Sequence, residues 1–210
     1  MGNAWKHFKK ICTHKYYVFK YSKMMGIPWR GIKHDLSKFS PIEFFESAKY
    51  YQGTSSPIDA CKKDKGYSKA WLHHKGRNSH HYEYWQDNFD KGGEALKMPF
   101  EDALEMLCDY LGAGRAYSGK DFTYLGELKW WRNKVQNPLA MHEHTKWFIT
   151  NMLIVLALIE YEYSDECEKI IHSLNLKEIA KHFYKTMHNN AIIITDINDY
   201  LKYAVEERFK

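Results

Sequence analysis

The sequence lacks paired cysteines, a long apolar run, internal repeats and low-complexity tracts. Its four cysteines, Cys12, Cys61, Cys108 and Cys167, lie far apart with no C-x-x-C spacing. That excludes a cysteine zinc motif and a thioredoxin-like motif, and with no secretory signal pattern it predicts reduced thiols in a cytoplasmic protein. The most apolar stretch, residues 147–159, contains Thr150 and Asn151. It falls short of the roughly 20 residues that a spanning helix needs, so it reads as a buried core helix and no membrane partner is expected. Alternating apolar and polar residues are also missing. Only AIIIT, residues 191–195, resembles a strand, and it has no partner elsewhere.

What is present predicts an all-α fold. Hydrophobic residues make up 44% of the 210-residue chain and aromatics 16%, enough for a sizeable core and too much for disorder. The net charge of +5 reads as spread along the chain rather than gathered in an arm, which suits a phosphate-bearing partner without requiring one. His7, Ile11, His14, Val18, Tyr21 and Met25 recur at steps of four and three, one face of a helix that Gly26 and Pro28 should stop. SPIE, residues 40–43, has the pattern of a capping box, and a helix through Tyr51 should follow. Ser56, Pro57 and Asp59 start another helix, expected to run through AWLHH until KGRN breaks it. Residues 90–99 read as a loop, and Pro99 opens a helix through CDYLGAG. Four further helices are predicted at about 123–136, 138–163, 165–190 with a break near Ser173, and 196–209, capped by Thr195 or Asp196.

The unusual stretch is WLHHKGRNSHH, residues 71–81, with four histidines in eleven positions. Taken alone, such a tract can be a solvated loop. Other imidazoles and carboxylates give it company: His14 on the inward stripe, the adjacent His34 and Asp35, and Asp109 within the apolar MLCDYLGAG. A carboxylate there is costly unless paired or metal-bound, and Arg115 is its alternative partner. Imidazole and carboxylate from several helices can surround an ion in a bundle core. His142 and His144 read instead as surface or packing residues, and the stripe of residues 147–161 reads as core.

The ordered set of His14, His34–Asp35, the histidine cluster and Asp109 resembles the HD superfamily of metal-dependent phosphohydrolases. GIKHDLSKFS matches its signature through His34, Asp35 and Lys38. HDLSKFSP and WLHHKGRNSHH also look like an uncharacterised bacterial and phage family in or near that superfamily. The likeness covers residues 7–117, and the close spacing of His14 and His34 is a departure that leaves His7 in reserve. It implies an HD-like helical bundle over residues 1–120, with residues 121–210 as a C-terminal helical extension packed upon it. The implied metal ligands are His14, His34, Asp35, His74, His80 and Asp109, with His81 next after His74 and His80 and His73 the weakest of the cluster.

The cofactor would be one or two divalent transition metals: Mn, Fe, Co, Ni or Zn, with Mg as a further option. The implied reaction is hydrolysis of a phosphoester, chiefly of a nucleotide or cyclic nucleotide, by a metal-activated water. Asp35 would be the shared ligand that orients the water, and His81 an acid for the leaving oxygen. Lys38, Arg77, Asn78 and Arg115 are the candidate substrate-binding residues, and Trp29, Phe39, Tyr67, Trp71, Tyr82 and Trp85 are candidates for stacking on a base. Two other readings stand beside it. One is an HD-type di-iron oxygenase; the other is a non-catalytic metal-stapled or nucleic-acid-binding module, possible but not favoured, and a homo-oligomer is compatible with all three.

Overall fold

The computed structural model describes residues 2–186 of the chain. It is predominantly α-helical, with one small two-stranded ladder. The strand-like AIIIT at 191–195 and the last predicted helix lie outside the described residues.

Helix α1 (Asn3–Met24) buries the predicted stripe of His7, Ile11, His14, Val18 and Tyr21. Gly26, with φ of 70°, turns the chain out of it. Pro28 does more than stop that helix: it occupies the first turn of a second one, α2 (Pro28–Lys33), where its missing N–H costs nothing. A single 3₁₀ turn (Leu36–Phe39) leads into α3 (Pro41–Tyr50). The capping box expected at its start does not form. Ser40 occupies the cap position without a side-chain bond, and Glu43 is turned to the histidines of the cluster.

The stretch predicted as one helix from Pro57 onward is two, α4 (Pro57–Lys65) and α5 (Lys69–Lys75). Gly66 in the left-handed region ends the first, and Ser68 caps the second by accepting from Trp71 N. After the histidine cluster come β1 (Gln86–Asp87) and β2 (Glu94–Ala95), antiparallel, the second within the stretch read as a loop.

Helix α6 (Phe100–Ser118) is the spine of the core, with Leu104, Leu107 and Leu111 fully buried. Each such leucine contributes about 1.5–3 kcal/mol through burial. Helix α7 (Tyr124–Gln136) lies where a helix was predicted and is capped by Thr123, which accepts from Gly126 N. Helix α8 (Glu143–Tyr163) starts five residues later than predicted, because His142 accepts from His144 N and fixes the start there. Then follow α9 (Cys167–Ser173) and α10 (Leu176–Thr186), separated at the predicted break.

Helix α1 packs along α6 and against α2 and α3, while α8 packs on α7, α9 and α10. One hydrophobic cluster runs from Val18 through Leu107 and Phe148 to Phe183. The polar cluster lies on the α1–α6 side, where α2, α5 and the turn after α5 close over it.

Candidate metal centre

Four segments deliver the ligand candidates. His14 comes from the middle of α1 and Asp109 from α6, on helices that pack side by side. His34 and Asp35 come from the sharp turn after α2, where Asp35 has φ of 55°. That left-handed turn aims two consecutive side chains into one space, and Asp is among the few residues that tolerate it. His74 ends α5, and His80 and His81 follow a turn held by Asn78, whose amide donates to Ser37 Oγ (2.9 Å) and to the His74 carbonyl (2.7 Å).

The side chains converge on two centres that share Asp35. His14, His34, Asp35 and Asp109 form one, and Asp35, His74, His80 and His81 the other. In the first, His14 Nε2 lies 3.0 Å from Asp109 Oδ1 and 3.4 Å from Asp35 Oδ2, and His34 Nε2 lies 3.2 Å from Asp35 Oδ2 and 3.3 Å from Asp109 Oδ1. In the second, the other oxygen of Asp35, Oδ1, faces His74 Nε2 at 3.2 Å and His80 Nε2 at 3.3 Å, and the Nε2 atoms of His74 and His81 are 2.9 Å apart. Donors about 2.0–2.1 Å from a tetrahedral ion stand roughly 3.3 Å from one another. The observed edges match that spacing.

Hydrogen bonding does not account for these atoms. His14 Nε2, His34 Nε2, His80 Nε2 and Asp35 Oδ1 are buried without a hydrogen-bond partner, while Asp35 Oδ2 meets the Lys38 ammonium. Buried polar atoms are nearly always satisfied, and four orphans facing one space are what a cation bound there would satisfy. The donor set of imidazoles and carboxylates fits a divalent transition metal.

The far sides of the rings are held. His34 Nδ1 donates to Glu105 Oε1 (2.9 Å), and His80 Nδ1 approaches the same oxygen at 3.2 Å. His74 Nδ1 donates to Glu43 Oε2 (2.8 Å). A carboxylate on the outer nitrogen places the proton there and leaves Nε2 as a lone pair facing inward, as metal-binding histidines require. Arg30 clamps Glu105 through Nε (2.7 Å) and also pairs with Asp102. Lys15 donates to the His34 carbonyl.

The charges follow the packing. Burial alone would raise Asp35, but the charges of His34, Lys38 and His74 outweigh it and hold its pKa well below the usual range. Burial would likewise raise Glu105, yet its bonds to His34 and His80 bring it down to about 2. Burial opposes charge on His34 and His74 as well; their carboxylate neighbours prevail and raise both. His81 is pushed well below the ordinary value by burial and by His80, so it is the neutral imidazole that a metal takes.

All six residues read as ligands from the sequence thus lie in the cluster. His81, expected as an acid and next in line as a ligand after His74 and His80, stands among the ligand candidates. His73 turns away to Glu43 (2.6 Å). The reserve residue His7 is not part of the cluster; it packs on Phe44 and Tyr51, and burial lowers it to about 4. Lys38 pairs with Asp35 while staying partly exposed, and Arg77 is exposed on the intervening turn. Asn78 is spent on the turn itself. Arg115 is not brought to the cluster: it pairs with Glu168 (3.2 Å) and covers Phe122, so it is Asp109's partner in neither sense.

Of the aromatics, Trp71 contacts His74 and His81. Tyr82 and Trp85 pack against the core, Phe39 packs on Phe8, and Trp29 and Tyr67 are exposed. His144 is buried, with Nε2 2.9 Å from the Tyr184 carbonyl, a packing role.

Fold and cluster together define a predominantly all-α protein with a buried histidine–carboxylate centre able to hold metal. Residues 3–154 match DUF5662, a family of unknown function, and the chain belongs to that family. The matched span contains every ligand candidate. No curated protein and no solved structure matches the chain. Among the described residues no helix is long and apolar enough to cross a membrane.

Proposed function

We propose that this chain is a metal-dependent phosphohydrolase of HD type, acting on a phosphoester, chiefly of a nucleotide. The observation that carries the reading is Asp35, a fully buried carboxylate whose two oxygens face two separate groups of histidines. A shared carboxylate of that kind is what a two-metal hydrolytic site needs between its ions. Divalent ions held there would bring a water's pKa toward neutrality and neutralise charge on the phosphoryl oxygens.

The chain's own residues do the rest. Asp35, fixed by its left-handed turn, holds both groups in register. Lys38, paired with Asp35 and 28% exposed at the side chain, is placed to meet a phosphoryl oxygen at the rim. Arg77, exposed between the two histidine pairs, is a second cation for the substrate. Trp71, against His74 and His81, offers a ring face or edge near the centre for a base. The reading includes a cytoplasmic setting, which agrees with four unpaired cysteines.

The test is metal content and turnover of wild type beside Asp35→Asn, which keeps the residue's size and its tolerance of the left-handed turn. About two equivalents of metal are expected in wild type, with a loss in the variant and a drop in phosphoester hydrolysis of at least about 10³-fold. A reloaded wild type that leaves mono-, di- and cyclic nucleotides and bis-p-nitrophenyl phosphate uncut would sink the proposal. The three imidazoles of the second group also suit iron, so oxygen-dependent turnover would move the chain to the oxygenase class.

A further inference from the structure

The basic surplus of the chain is not spread evenly. Residues 1–34 hold eight Lys and Arg and no Asp or Glu, more than the net +5 of the whole protein. Helix α1 carries six of these lysines. On an ordinary solvated helix such lysines meet acidic residues three or four positions away, and here there are none.

Three of the lysines share a cavity of about 440 Å³ between the first half of α1 and the turn that follows α3. Lys6, Lys9, Lys10, Thr13, Asn3 and Tyr51 are among its lining residues, and the lining has no carboxylate. That size accommodates a small-molecule ligand.

The cavity and the metal centre share helix α1. Lys10 is one turn and Lys6 two turns before His14, so the cationic lining lies roughly 6–12 Å along the helix from a ligand candidate. Lys10 Nζ donates to the Ala116 carbonyl (2.9 Å) and rests 4.6 Å from the Tyr117 ring centroid. Tyr117 in turn feels the charge of Lys38, the residue paired with Asp35. Tyr51 lines the cavity and packs on His7, on the same buried stripe as His14.

We propose that this cavity seats a second phosphate of the substrate, remote from the one at the metal centre. The inference rests on the phosphohydrolase reading for its role and on the lysine-lined cavity for its ligand. It narrows the substrate to molecules bearing two separated phosphoryl groups, such as a nucleoside bisphosphate or a dinucleotide. A lone phosphomonoester at the centre cannot reach it.

The seat is testable apart from catalysis. Calorimetric binding of adenosine 3′,5′-bisphosphate and of adenosine 5′-monophosphate is measured on the metal-loaded protein, for wild type and for Lys6→Glu/Lys9→Glu. Both positions are exposed, so the variant should fold, and an unchanged far-UV spectrum and metal content check that it has. Wild type is expected to bind the bisphosphate at least about tenfold more tightly than the monophosphate, and the variant to lose that preference. Equal affinities in wild type, or a preference untouched in the variant, would overturn the seat even if phosphodiesters are hydrolysed. A lysine-dependent preference without any hydrolysis would uphold the seat and discard the phosphohydrolase reading.

Discussion

Glu105 is the residue that ties the two halves of the centre together. One of its oxygens meets the outer nitrogens of both His34 and His80, and Arg30 holds the other. Glu43 serves His74 and the outward-turned His73. Glu105→Gln should therefore weaken metal binding at both groups, by about 10–100-fold, because the amide loses the negative charge and, if its oxygen keeps the two imidazoles, turns an NH2 toward Arg30. Glu43→Gln should weaken only the group holding His74. Metal titration of the two variants separates these outcomes, and equal loss at both groups in Glu43→Gln would show the assignment to be wrong. The ligands were legible in the sequence because an ordered run of histidines and aspartates is rare. Their supports were not: Glu43 has the position of a cap residue, and Glu105 looks like any acid on a helix. A signal existed in the four-residue step from Glu105 to Asp109, which sets both on one face of α6.

At the scale of elements, the centre depends on how closely α1 approaches α6. Gly112, three residues past Asp109, makes that approach possible: a Cβ there would stand 2.5 Å from the Val18 side chain and 3.0 Å from the Val18 amide nitrogen. Val18 itself lies four residues beyond His14. Gly112→Ala must push the helices apart beside His14 and Asp109. The expected cost is about 1–3 kcal/mol of stability together with weaker metal binding at the group they share. A variant with wild-type melting and wild-type metal affinity would show that the contact relaxes elsewhere. The presence of α1, α6, α7 and α8 was readable from the sequence, α1 through its helical period, α6 through Pro99 and α8 through its apolar run. The breaks were harder. Gly66 ends α4 through a left-handed turn, and His142 starts α8 with its ring. Both depend on backbone angles that composition does not reveal.

For the whole molecule, the buried cluster joins α1, the turn after α2, the end of α5 and α6 around shared ligands. An ion bound to the folded chain but not the unfolded one adds about 2.7 kcal/mol at a hundred times its dissociation constant. For a domain of this size that corresponds to a rise in melting temperature of about 5–10 °C, lost when a chelator is added. The pH dependence has a defined sign. Metal needs neutral imidazoles, and neighbouring carboxylates hold His34 and His74 above the ordinary imidazole value of about 6.5. Protons therefore begin to compete above that value as pH falls, and the metal's contribution is full on the alkaline side and lost on the acidic side. Without metal the sign reverses for these two histidines, whose raised pKa stabilises the fold below about 6.5 and ceases to do so as pH rises through the folded value. Melting curves with and without chelator should thus diverge at about pH 8 and converge at about pH 5. Coincident curves at every pH would mean that protons and Lys38, rather than a metal, neutralise the carboxylates of the cluster.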